Sequence, residues 1–265
     1  MVLSQLKCAF FIILHLSCSL ILVYGRSARV IGGQDVSIYS VPYQVSLRYK
    51  SNQSEAFIHR CAGTIYSSEV ILTTATCVQN VNAKQLHVIA GETYRTGSKG
   101  SIYLVNRIVI HPEFDMWLMD NDLALVVLTH HINLDGLGVS TIGLAEVEPN
   151  DASEAVVAGW GGISSEESSV EVLKLSYLQT VGLIKCRKFY GEDRITLSML
   201  CAGGKQGDTC AGDAGGALVV NDLAVGLVSW GRKGCGLTDF PGVYTNLVYY
   251  SEWIQEETAK NLKLN

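Results

Sequence analysis

Gly207-Asp208-Thr209-Cys210-Ala211-Gly212-Asp213-Ala214-Gly215-Gly216 is the stretch whose reading decides this chain. Its glycines admit the backbone conformations a tight turn needs, and such a turn aims backbone N–H groups outward to receive an anion. Cys210 is placed to tie the loop down. The residue at the tip is Ala214, whose methyl group offers no lone pair. The loop has the form of a nucleophile-bearing turn without the nucleophile.

The chain on either side of this turn reads as strand after strand. Tyr43–Leu47 alternates, and Gly63–Tyr66, Val70–Thr73, His87–Ile89, Ile102–Val105 and Leu123–Leu128 follow. After the linker-like Leu134–Gly138 a second set contains Ala155–Gly161, Leu173–Tyr177, Ala217–Val220 and Ala224–Trp230. Short β-rich runs broken by Gly, Asn and Ser predict an all-β fold of two packed antiparallel β-barrels. Barrel one is expected over about 30–131, a linker over about 132–148 and barrel two over about 149–246. Tyr249, Tyr250, Trp253 and Ile254 are spaced for a C-terminal α-helix with one buried face, within about 247–262.

With 265 residues, 48% hydrophobic and 17% charged, the chain can bury a large core. Its formal charge of −5 gives nothing that nucleic acid or an anionic membrane would bind. Residues 1–25, an apolar run behind Lys7, read as a secretory signal peptide, the alternative being a membrane anchor. Removing it takes Cys8 and Cys18 from the eight cysteines, and the remaining six fit three disulfides in a secreted chain. Residues 26–29 form a short propeptide, and Arg29 before Val30-Ile31-Gly32-Gly33 is a processing site or else a surface arginine. Without Lys7, Arg26 and Arg29 the chain keeps 17 basic residues against 25 acidic ones, a charge of −8. Asn52-Gln53-Ser54, on a polar loop, matches the N-glycosylation acceptor pattern; the alternative is an unmodified turn.

Seven motifs then occur in order: Val30-Ile31-Gly32-Gly33, Leu72-Thr73-Thr74-Ala75-Thr76-Cys77, Asp122-Leu123-Ala124-Leu125, Gly159-Trp160-Gly161, Gly212-Asp213-Ala214-Gly215-Gly216, Ser229-Trp230-Gly231 and Pro241-Gly242-Val243-Tyr244-Thr245. Together they resemble a trypsin-like serine protease domain over residues 30–265. The resemblance implies a catalytic histidine where this chain has Thr76, a nucleophilic serine where it has Ala214, and the buried triad aspartate at Asp122. A threonine hydroxyl is far too weak a base and alanine is no nucleophile, so the chain is expected not to be an enzyme.

Other roles follow from the same resemblance. Gly212 and Ala214 would present the oxyanion-hole N–H groups, and Asp213 would pair with the new amino terminus at Val30 once Arg29 is cut. Asp208 would sit at the base of a specificity pocket left open by Gly231 and Gly242, with Arg232 or Lys233 able to neutralise it. The implied disulfides are Cys61–Cys77, Cys186–Cys201 and Cys210–Cys235. His59 falls where the family has a structural histidine. No metal is expected, because the run after Glu92 supplies no second carboxylate for calcium, and no cofactor is expected either. Within the family the chain is most similar to mite group 3 allergens and the scabies mite inactivated serine protease paralogues. That implies a secreted monomer, of the gut lumen, binding host proteins such as complement components; a trap that uses the empty cleft and Asp208 is the alternative.

Overall fold

The computed structural model describes residues 33–134, 138–162, 169–203, 209, 212–231 and 240–263. Signal and propeptide, Arg29, Val30, Asp208, Cys210, Cys235, Arg232 and Lys233 lie outside them.

Barrel one is built from β2 (Gln44–Tyr49), β3 (Ile58–Ile65), β4 (Val70–Thr73), β5 (Leu86–Ala90), β6 (Ser101–Ile110) and β7 (Ala124–Leu128), after a two-residue strand β1 (Gln34–Asp35). Its strands close in the order β2-β3-β4-β7-β6-β5, all antiparallel, with β5 returning to β2. Barrel two contains β8 (Glu154–Gly161), β9 (Ser169–Val181), β10 (Met199–Gly203), β11 (Ala217–Val220), β12 (Leu223–Trp230) and β13 (Gly242–Asn246). Its order is β9-β10-β13-β12-β11-β8, closed by β8 on β9, with β1 added beside β9. Closure leaves neither barrel an open hydrogen-bonding edge of its own.

Each barrel fills its interior with the inward set of an alternating pattern. Val45, Leu47, Val88 and Val126 do so in the first, and Val157, Leu218, Val225 and Tyr244 in the second. The seam between them is apolar too: Val70, Leu72 and Leu125 of barrel one pack in one cluster with Ala217, Val219 and Leu227 of barrel two. Burying side chains of this kind contributes about 1.5–3 kcal/mol each. The seam explains a departure from the expected pattern in β2. Gln44, Val45, Ser46 and Leu47 are all buried, because the outward face meets the other barrel, where Gln44 Nε2 donates to the Ala158 carbonyl at 2.9 Å.

The C-terminal helix is α3 (Ser251–Leu262), and it presses Ile254 and Thr258 inward. It begins later than the aromatic spacing suggests, since Tyr250 caps it and its carbonyl accepts from Ile254 N. Two other helices were not among the expected elements, the single turn α1 (Ala75–Val78) and α2 (Leu183–Tyr190). The disulfides Cys61–Cys77 and Cys186–Cys201 are formed, with Cα atoms 6.0 and 6.3 Å apart, and anchor these two helices to β3 and β10.

Candidate functional site

The site lies where α1, the start of β7, and the turn before β11 converge across the seam. Asp122 is buried beneath it. Its carboxylate accepts from Thr76 N at 2.8 Å, from Thr76 Oγ1 at 3.1 Å and from Ser229 Oγ at 2.6 Å, while Thr245 Oγ1 donates to its backbone carbonyl at 2.6 Å. Burial pushes the Asp122 carboxyl above its usual range, against the pull of the Ser229 and Thr76 donors. Thr76 thus stands directly on the aspartate. Its hydroxyl lies 3.1 Å from both the carboxylate and Thr74 Oγ1, so it takes part as a donor and has no basicity to lend.

The glycine turn has the shape its sequence implied. Gly212 and Gly215 take φ of +102° and +86°, and an added Cβ on Gly215 would come within 2.2 Å of Thr73 Oγ1 and 2.3 Å of the Ala62 carbonyl oxygen. That approach draws the turn against barrel one, where Ala62 N donates to the Ala214 carbonyl at 2.9 Å. Gly215 N and Gly216 N are used inside the fold, on Val228 O and Asp213 O. Among the described residues Gly212 N and Ala214 N donate to nothing, the condition an anion-receiving pair requires. Ala214 itself rests on the barrel-one core.

Asp213 is buried, and its Oδ1 accepts from Gly161 N at 2.7 Å. Its expected partner, Val30, is outside the described residues. His59 holds the back of the same turn: Nε2 donates to the Gly212 carbonyl at 3.0 Å and Nδ1 accepts from Ser46 Oγ at 2.8 Å. The edge of Trp160 packs on the ring. Burial first, then the charges of Arg95 and Arg48, lower the His59 pKa to about 4 against the favourable Gly212 contact, so the ring is neutral.

Gly231 lies close to Gly242: among the described residues a Cβ on Gly231 would meet only the Gly242 Cα, at 3.9 Å. Beside them Trp230 carries a cover the sequence did not suggest. The Arg194 guanidinium lies over its ring at 4.7 Å and donates to the Trp117 carbonyl at 3.0 Å, and the Tyr190 ring meets it edge-on at 5.1 Å. Glu92 is buried, with Oε1 accepting from Tyr94 N and Oε2 from Lys99 N and Gly100 N at 2.8–3.1 Å. Burial alone would raise its pKa; the amide donors outweigh that and hold it below the carboxylate range. Asn52 Oδ1 accepts from Gln85 Nε2 on the exposed hairpin.

Two closed antiparallel barrels with an Asp-centred site at their seam define the chymotrypsin-type fold. The trypsin family model matches residues 30–254, and the chain belongs to the trypsin-like serine protease family. Among its relatives, trypsin eta of Drosophila melanogaster is 36% identical over 242 residues, 89% of this chain and 92% of the relative. Trypsin zeta of the same fly is 38% identical over 243 residues (87% and 86%), and hypodermin-B of Hypoderma lineatum 36% over 254 (91% and 96%). Among solved structures, neuropsin, a serine protease expressed in the limbic system of mouse brain, superposes with a TM-score of 0.76 at 29% identity. That alignment covers 85% of this chain and 98% of neuropsin.

Proposed function

We propose that this family member is a secreted protein without peptidase activity that works by binding, engaging a component of a host proteolytic cascade such as complement. One observation carries the reading. At the two positions where the family's chemistry needs a base and a nucleophile stand Thr76, hydrogen-bonded to Asp122, and Ala214. Removing such a pair of groups lowers turnover by about 10⁶-fold. The similarity of its motifs to mite group 3 allergens and the scabies mite inactivated serine protease paralogues supports a secreted monomer facing host proteins. The two disulfides suit an oxidising compartment.

Purified processed protein is expected to leave peptidyl-arginine anilides uncleaved and to lower complement-mediated lysis in a dose-dependent way. Unchanged lysis at high protein concentration overturns the binding role. Thr76→His with Ala214→Ser tests the site: cleavage after Arg or Lys in the double variant, absent from either single one, is the expected result. A second reading, a trap for basic side chains, draws on the family resemblance, which implies Asp208 at the base of a pocket bordered by Gly231 and Gly242. It requires that benzamidine bind and that Asp208→Asn abolish the binding.

A further inference from the structure

Barrel two also holds a cavity of 870 Å³, which runs from Val156 and Val219 at the edge of the seam cluster to the turn between β11 and β12 and is within the range of small-ligand sites. Its lining follows from strand register. Tyr177 of β9 is paired with Val156 of β8, and Val156 with Val219 of β11, so one row across three strands is aromatic and aliphatic. Two residues along the strands, on the same face, Gln179 is paired with Glu154, and Asn221 follows Val219 into the turn at Asp222. That second row is polar and carries both carboxylates. Neighbouring strands lie about 4.8 Å apart, so the two rows form one compact platform.

Three features make this surface a receptor for positive charge. Glu154 and Asp222 have no hydrogen-bond or ion-pair partner among the described residues, and neither do the side chains of Tyr177, Gln179 and Asn221. No basic residue lines the cavity among the described residues. The Asp222 end is fixed in place: Asn221 and Asp222 take φ of 50° and 61°, the left-handed pair of a tight two-residue hairpin between β11 and β12. The apolar row suits the methylene stem or flat face of an organic cation, and the carboxylates suit its head.

We propose that this cavity binds organic cations in which an alkylammonium or guanidinium group sits on an apolar stem, independently of the vacant catalytic cleft. The same chemistry is offered by a free polyamine and by an arginine-bearing peptide, so both are used as probes. Calorimetric titration of the processed protein with spermine and with an acetylated Arg-Leu-Arg peptide is expected to show saturable binding of at least one, and which one binds identifies the source. Glu154→Gln with Asp222→Asn should weaken it by about tenfold or more, as should raised salt. Asp208→Asn should leave it unchanged. Both substituted side chains are exposed, and circular dichroism checks the fold; should the double variant fail to fold, Tyr177→Ser, removing the aromatic row, must weaken binding instead. Absence of binding by both probes overturns the proposal. So does equal affinity in the folded carboxylate variant, or loss of binding in Asp208→Asn, which would place the cation in the other pocket.

Discussion

Acidification should loosen the seam through His59 in a way that can be measured against its own variant. The ring's ordinary pKa of 6.5 falls to about 4 in the fold. Between those values the unfolded chain binds a proton that the folded chain refuses, so stability is lost as pH falls from about 6.5 to about 4 and is fully present above. A drop of that size corresponds to about 3 kcal/mol at 1.36 kcal/mol per unit. The structure explains why the folded form refuses it. Nδ1 already accepts from Ser46 Oγ, Nε2 already donates to the Gly212 carbonyl, and Arg95 and Arg48 repel an added charge. His59→Gln keeps a donor for the Gly212 carbonyl and cannot be protonated in this range. Urea denaturation of both proteins at steps from pH 7 to pH 4 gives the difference directly, with carboxylates such as Glu92 cancelling. The wild type should lose about 3 kcal/mol relative to His59→Gln across the interval. Parallel curves would refute the reasoning, since they require a histidine that titrates alike in the folded and unfolded chains.

At Asp122, Asp122→Ala strands the donors on Thr76 and Ser229 and should cost about 3 kcal/mol in chemical denaturation, whereas Asp122→Asn, which keeps one acceptor oxygen for them, should cost less. Equal losses in the two would refute the assignment. Gly215→Ala places a methyl group into Thr73 and the Ala62 carbonyl at φ +86° and should cost more than about 4 kcal/mol or prevent folding; a loss within about 1 kcal/mol of wild type would show that the turn is not held as described. Glu92→Ala leaves the amides of Tyr94, Lys99 and Gly100 without their acceptor, so hydrogen exchange at those positions should accelerate, with about 2–3 kcal/mol of stability lost.

What the sequence made legible tracks how local the physics is. Val70–Thr73 and Ala217–Val220 were readable to the residue because each is a short continuous apolar run, buried on one face inside its own barrel and on the other at the seam. β9 showed itself only over Leu173–Tyr177 of its thirteen residues, since it serves β1, β8 and β10 in turn and its burial changes along its length. α2 was invisible to periodicity: Ile184 and Phe189 are exposed and Cys186 is its one buried residue. The helix is held by Leu183, Cys186 and Tyr190 on its packed side, by the disulfide to Cys201 and by Arg187 Nε on the Ile195 carbonyl, a stripe too thin to stand out beside the exposed Ile184 and Phe189. The Asp122 constellation was recoverable because the family motifs mark each member. The cover of Arg194 on Trp230 and the two-row platform under Glu154 were not, because both join residues that only the folded barrel brings together.

The same distinction between local and assembled requirements bears on which positions depart from the family motif. Asp122 must satisfy Thr76 and Ser229, Asp213 must satisfy Gly161, and Gly215 must let Thr73 and Ala62 approach. Each of these residues carries contacts that the fold loses if it changes. Ala214 contributes a backbone carbonyl to Ala62 N, which any residue supplies, and a hydroxyl on its β-carbon has no partner to which the fold is committed. Thr76 is nearly as free, because a small hydroxyl can meet the Asp122 carboxylate on its own and its backbone N–H does the rest. Chemistry at this site depends on the two side chains that stability needs least, so a family member can exchange both and keep the turn, the buried acids and the seam in place. Overall likeness of fold therefore carries little information about turnover in this chain, and on the proposed function it is Thr76 and Ala214 that decide it.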